Sequence, residues 1–241
     1  MTSFSGYIVA GLEPREITVA ELEMSEPETP HGPTLQHAGD RFGIKGWEEF
    51  VLHSPTALND EIEKPSGGFS YPVLVVRGFG KMIILAWSKK IVEYTLARIL
   101  DRRIYPNLRK VNVFIDRLIG VCDQPTNEFL VTSVHGKFAG PATQLRSISL
   151  YGDDVTKSSL YGDYHDAFNF SSCGLGRRLH EGLPRLAVKG NKEPEIVRIA
   201  NDGFLFLNLT TRKRAQELNR VVDFVVGNRL VEDWVPIRGA H

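Results

Sequence analysis

Two apolar runs lie almost back to back at residues 71–77 (YPVLVVR) and 81–87 (KMIILAW), with Gly78-Phe79-Gly80 between them. This pair constrains the fold most. β-Branched and aromatic residues favour the pleated backbone, and a glycine-flanked break of this length turns a chain back on itself. The pattern predicts a β-hairpin. Ser88 follows directly and suits a helix N-cap. Ile91, Val92, Thr95, Leu96, Ile99 and Leu100 then recur at helical spacing, which predicts a helix from Ser88 to about residue 103, closed by Pro106.

Other elements arrange themselves around that core. Residues 7–10 read as a first strand and residues 17–19 as a second. Residues 21–46 carry Pro27, Pro30, Gly32, Pro33, Gly39 and Gly43, and predict a long irregular arm. Residues 110–118 alternate as a half-buried strand, with Val111, Val113 and Ile115 on one face. Residues 128–134 and 145–150 give further strands. Residues 151–194 are rich in Gly, Asp, Ser, Tyr and Asn, and read as structured loops. Asn201-Asp202-Gly203 sits between two apolar runs, 195–200 and 204–209, as a second hairpin turn. A final helix is expected from Thr210 or Thr211 to Gly227, with a tail at 230–237 packing back through Trp234. This order predicts an α+β fold: a mixed or mostly antiparallel sheet, two main helices and a long irregular N-terminal segment.

Charge divides the chain unevenly. Residues 1–70 hold 4 Lys/Arg and 12 Asp/Glu, a balance of −8. Residues 71–241 hold 25 and 17, a balance of +8. The expected division is therefore an acidic segment, 1–70, packed on a basic α+β domain, 71–241. The N-terminus has no basic and apolar leader, and no apolar run approaches a membrane span, so a cytoplasmic protein is expected. Cys122 and Cys173 are too few for a disulfide scaffold or a Cys-rich zinc site, and are expected as reduced core thiols. No repeat of solenoid length occurs, though Ser149-Leu150-Tyr151-Gly152-Asp153 recurs ten residues on as Ser159-Leu160-Tyr161-Gly162-Asp163.

Three groups of residues bear on chemistry. Gly174 and Gly176, followed by Arg177 and Arg178, form a Gly-Arg stretch. In a loop its backbone amides would cradle an anion while the guanidiniums closed on a phosphate. The string lacks the spacing of a P-loop or a dinucleotide fingerprint. Next, cations sit at two expected helix starts, Lys89-Lys90 and Arg212-Lys213-Arg214, where the helix dipole disfavours them. An external phosphate there would offset that cost. Residues 71–120 carry 10 basic residues against 3 acids, interleaved with Phe79, Trp87 and Phe114. Finally, Asp153, Asp154, Asp163, His165 and Asp166, with Tyr161 and Tyr164, form a polar cluster. Asp153, Asp163 and Asp166 are the carboxylates that would hold Mg²⁺ or Mn²⁺ in a phosphodiesterase. Turn capping by Asp is the commoner use of such residues. His135 and His180 are placed for metal-free acid–base work, and no other catalytic motif is present.

The reading that follows is a nucleic-acid-binding accessory protein, DNA or RNA, or a subunit of a larger complex with a protein partner. It contacts phosphates through basic helix starts and the Gly-Arg stretch and needs no cofactor. Two alternatives stand beside it. One is a metal-dependent phosphodiesterase or nuclease. The other is a structural or protein-interaction module whose acidic segment docks a basic partner.

Overall fold

The computed structural model describes residues 2–10, 18–24, 26–27, 31–39, 48–58, 68–78, 81–100, 109–124, 126–138, 146–178, 196–209, 219–220, 223–224, 228 and 230. The chain divides into two compact units, Met1–Val111 with Asp233–His241, and Asn112–Glu232. Strands on both sides of residue 70 pair with one another within the first unit.

In the first unit, β1 (Thr2–Ala10), β2 (Thr34–Gly39), β3 (Glu48–Ser54), β4 (Phe69–Gly78) and β5 (Lys81–Ala86) form an antiparallel sheet. Its order is β2-β3-β4-β5-β1, and the short β6 (Arg109–Lys110) also pairs with β1. The expected hairpin is β4–β5, closed by Gly78 opposite Lys81. Met82 to Ala86 are all buried, so β5 is covered on both faces, which is why it reads as an unbroken apolar run. Ser88 accepts a hydrogen bond from the Ile91 amide at 3.4 Å and caps α2 (Lys89–Thr95), which continues as a π-helical turn, Leu96–Leu100. Ile91, Val92 and Thr95 bury against the sheet at β1 and β5.

The second unit has the sheet order β8-β7-β9-β10-β11. Its strands are β7 (Phe129–Phe138), β8 (Ser147–Tyr151), β9 (Phe168–Arg177), β10 (Val197–Ala200) and β11 (Phe204–Leu209). All pairings given for them are antiparallel. The β10–β11 hairpin turns as expected at Asn201-Asp202-Gly203. Gly203 takes φ 76°, the left-handed region that suits glycine, and the Asp202 carboxylate accepts from the Phe204 amide at 3.1 Å. Helix α3 (Ile115–Asp123) packs on β7 and β9 through Ile115, Leu118, Ile119 and Cys122.

Several expectations are corrected. The α+β fold with two main helices is overturned. Among the described residues there are eleven strands, and the α-helices span only four to nine residues. Of the expected second strand at 17–19, Thr18 instead caps and Val19 begins α1 (Val19–Leu22), and residue 17 lies outside the described residues. Thr18 and Glu21 form a reciprocal capping box there, satisfying two backbone amides that a strand would leave open. The expected irregular arm, 21–46, contains β2. The expected strand at 110–118 survives only as β6 and an isolated position at Val113. From Ile115 the 3–4 spacing of Ile115, Leu118, Ile119 and Cys122 wins over the alternation of Val111, Val113 and Ile115. The loops expected at 151–194 include β9 and a short helix, α4 (Ser159–Tyr164). Most of the expected C-terminal helix lies outside the described residues. Asn219, Arg220, Asp223 and Phe224 are helical, and Phe224 packs its ring 5.0 Å from that of Phe129.

Gly6 on β1 pairs with Leu85 on β5. A Cβ there would stand 1.8 Å from the Ile84 carbonyl oxygen and 2.7 Å from Leu85 Cδ2. Only glycine permits this approach. Gly6→Ala is expected to destabilise the first unit by at least the ~1–3 kcal/mol of an overpacked core. Urea unfolding monitored by circular dichroism checks it; a midpoint equal to wild type contradicts it.

Candidate functional site

One cluster of charged and aromatic groups assembles in the first unit, from three elements. Tyr7 lies on β1 with its ring buried. A buried phenol must place its hydroxyl on a partner. Here the hydroxyl donates to Glu93 Oε1 at 3.1 Å, from the exposed side of α2. Lys89, one turn earlier, sets its ammonium 3.7 Å from the same oxygen, and Lys110 on β6 sets its own at 3.8 Å. The Lys110 ammonium stands 3.8 Å from the centre of the Tyr7 ring and that of Lys89 5.8 Å. Both are within reach of the negative face of the π-system.

Within this group the one Glu93 carboxylate faces two ammoniums. Their side chains are half-exposed, which leaves their outer faces to solvent. Lys90 is exposed beside them. Trp87, between the end of β5 and the Ser88 cap, is 47% exposed. An indole left in water at that level, three residues or fewer from two lysines, is the feature of this neighbourhood that packing does not account for.

The other expected site residues are placed differently. Gly174, Gly176 and Arg177 lie on β9, not in a loop. Gly174 is flanked by Ser133 on β7 and Arg198 on β10, and Gly176 pairs with Leu130. Both glycines are buried between neighbouring strands, so their amides form no anion nest. Arg177 ends the strand and is exposed. Arg178 turns inward: its Nε donates to the Asn127 carbonyl at 3.1 Å and a terminal nitrogen to the Cys122 carbonyl at 3.0 Å. That places a cation on a carbonyl at the end of α3, where the helix dipole favours it. Arg212, Lys213 and Arg214, like Arg102, Arg103, Phe79 and His180, lie outside the described residues.

The polar cluster does not converge. Asp153 follows β8, Asp163 is on α4, and Asp166 pairs with His165 Nε2 at 3.1 Å; all three are exposed. Among the described residues no group of three or more His, Cys, Asp or Glu side chains is arranged to hold a metal ion. Asp154 and its neighbours turn instead to α3. Thr156 Oγ1 lies 2.8 Å from Asp154 Oδ1 and 2.9 Å from Asp123 Oδ1, and Lys157 also reaches Asp123. The hydrogen bond from Lys157, then that from Thr156, holds the Asp123 carboxyl below the ordinary carboxylate range. Tyr161 stacks between His165 and Phe170 at 5.5 and 5.7 Å. Burial, then the charges of Asp116 and Asp123, push its phenol up. His135 Nδ1 lies 2.9 Å from Ser149 Oγ, its direct cross-strand neighbour.

No helix among the described residues is long and apolar enough to cross a membrane. No protein-family model matches the chain, and no curated protein sequence matches it.

Neither cysteine forms a disulfide, and both are buried. Burial pushes the Cys122 thiol up to about 12, against a smaller opposing pull from Arg178. Its thiolate is therefore scarce at neutral pH, and Cys122 is expected to resist iodoacetamide until the chain unfolds. Mass spectrometry of labelled native protein checks this; rapid native labelling of Cys122 contradicts it.

Arg178→Ala removes two charge-assisted bonds and leaves two carbonyls to find water. A loss of about 1.5–3 kcal/mol is expected in chemical denaturation. Asp123 is expected to titrate lower than an ordinary aspartate by NMR and to move up in Lys157→Ala. Its depressed value contributes stability above the unfolded-state pKa that is lost as pH falls through the folded one. An unmoved Asp123 titration in the variant contradicts the assignment.

Proposed function

We propose that this chain is a nucleic-acid-binding accessory protein that takes single-stranded DNA or RNA at the Trp87 neighbourhood. The observation that carries the reading is the half-exposed Trp87 indole two and three residues before Lys89 and Lys90, at the start of the helix whose Glu93 also holds Lys110. Single strands are held by this combination in general. Aromatic faces stack on unpaired bases at about 1–3 kcal/mol per base, and ammoniums meet the phosphates. The duplex offers no free base face for an exposed indole. Lys89 and Lys110 are held in place by Glu93 and Tyr7, so less side-chain entropy is lost when a phosphate arrives. The positive charge here is local: residues 71–111 hold 9 Lys/Arg against 2 Asp/Glu, while residues 1–70 of the same unit are acidic.

The Gly-Arg stretch is not part of this proposal, since Arg178 is committed to carbonyls of its own unit. Fluorescence anisotropy with labelled single-stranded oligonucleotides across a salt series tests the reading. Trp87→Ala is expected to weaken binding with an unchanged salt slope. The triple variant Lys89→Ala/Lys90→Ala/Lys110→Ala is expected to lower the slope of log K against log salt by about 2, at roughly 0.7 per phosphate contact on a single strand. Binding that is absent at low salt, or unmoved by both variants, overturns it.

A further inference from the structure

The two units treat their outer strands differently. In the first unit the outer edge of β2 is covered by the chain itself. Met24 and Leu35 exchange backbone hydrogen bonds at 2.7 and 3.0 Å, and the Glu23 carboxylate accepts from the His37 amide at 3.3 Å. A register shift between His37 and Gly39 further distorts that strand. These are the devices by which folded chains blunt a sheet edge.

The outer strand of the second unit, β8, has none of them among the described residues. The Phe138 amide donates to the Arg146 carbonyl, and the Gly152 amide donates to the Thr132 carbonyl. Even-numbered residues of β8 therefore turn their backbone groups toward β7. Ser147, Ser149 and Tyr151 turn theirs away. These three residues are exposed, Tyr151 at 60%. No described strand pairs with that edge, and Ser149 and Tyr151 are otherwise engaged only with His135, the next strand in.

We propose that β8 is a self-association edge, on which a second copy of this chain pairs antiparallel about a two-fold axis through Ser149. The sequence is complementary to itself in that register. Ser149 meets Ser149, and Ser147 meets the partner's Tyr151, so a small side chain faces the large exposed ring. On the other face Ile148 meets the partner's Leu150, an apolar pair. Arg146 falls opposite the partner's Gly152, which has no side chain to oppose it. The three outward residues exchange about six backbone hydrogen bonds. Sliding the register by two residues one way sets Arg146 against the partner's Leu150. Sliding it the other way sets Ile148 against the partner's Gly152. Either shift leaves one apolar pair, Ile148 with Ile148 or Leu150 with Leu150, in place of two.

Sedimentation and disulfide trapping test the pairing on the full chain. Wild type is expected to sediment as a dimer. Ser149→Pro removes an outward amide that β7 does not use, and proline is tolerated at such an edge position. It is expected to sediment as a monomer with an unchanged circular dichroism spectrum, while Ser149→Ala remains dimeric. Facing residues in a hydrogen-bonded pair have Cα atoms about 5.5 Å apart, within disulfide range. Ser149→Cys is therefore expected to form a linked dimer on oxidation. Ser147→Cys, which faces Tyr151, is not, and the buried Cys122 and Cys173 do not compete. If Ser149→Pro misfolds, the two cysteine variants decide. A wild-type monomer overturns the proposal and leaves the edge to a strand from a different protein. So does a dimer in which Ser149→Cys links no faster than Ser147→Cys.

Discussion

The buried hydroxyl of Tyr7 is the constraint on which the first unit's surface depends. The ring fills the core beside Gly6, where β1 and β5 approach too closely for any side chain. Its hydroxyl must then be satisfied at the core's boundary, and Glu93 supplies the acceptor. Once Glu93 is fixed, it gathers Lys89 from its own helix and Lys110 from β6. A single packing requirement thus ties a strand, a helix and a second strand together. It also sets two ammoniums in defined places, Lys89 on α2 and Lys110 on β6.

Positive charge serves two different ends in this molecule. Arg178 is consumed by structure, since its planar fork suits two backbone carbonyls and it stabilises the end of α3. Lys89 and Lys110 are steered by the Glu93 carboxylate between them and stay half-exposed. The distinction comes from geometry, because Arg-Arg after a glycine pair and Lys-Lys after a serine cap look alike as strings. It shifts the phosphate-binding argument from the Gly-Arg stretch to the start of α2.

The parts of the fold legible in the sequence are those where local chemistry and tertiary packing agree. The β4–β5 hairpin, the Ser88 cap and the Asn-Asp-Gly turn each rest on residues within a few positions of one another. What was illegible needed longer range. β9 hides behind Ser, Gly and Asn because its partners on both sides supply the burial that its own composition does not announce. The five-residue repeat makes the same point: Ser149 to Tyr151 form the end of strand β8, whereas Ser159 to Asp163 lie in helix α4. Identical residues take opposite backbones because β7 pairs with the first copy and Ser158 caps the second. The α1 capping box was readable from Thr18 and Glu21, but three β-branched residues in a row favoured a strand. The charged cluster was only half visible. Glu93 four residues after Lys89 is a local signal, while Tyr7 and Lys110 join it solely through the β1–β6 pairing.

The most direct test of the central claim reads Trp87 itself. The chain has three tryptophans, so a variant carrying Trp47→Phe and Trp234→Phe reports from Trp87 alone. Titration of that variant with an unlabelled single-stranded oligonucleotide at low salt is predicted to quench Trp87 emission to saturation, and added salt to restore it. An emission spectrum that stays unchanged through the titration would contradict stacking at this site and the proposed function with it.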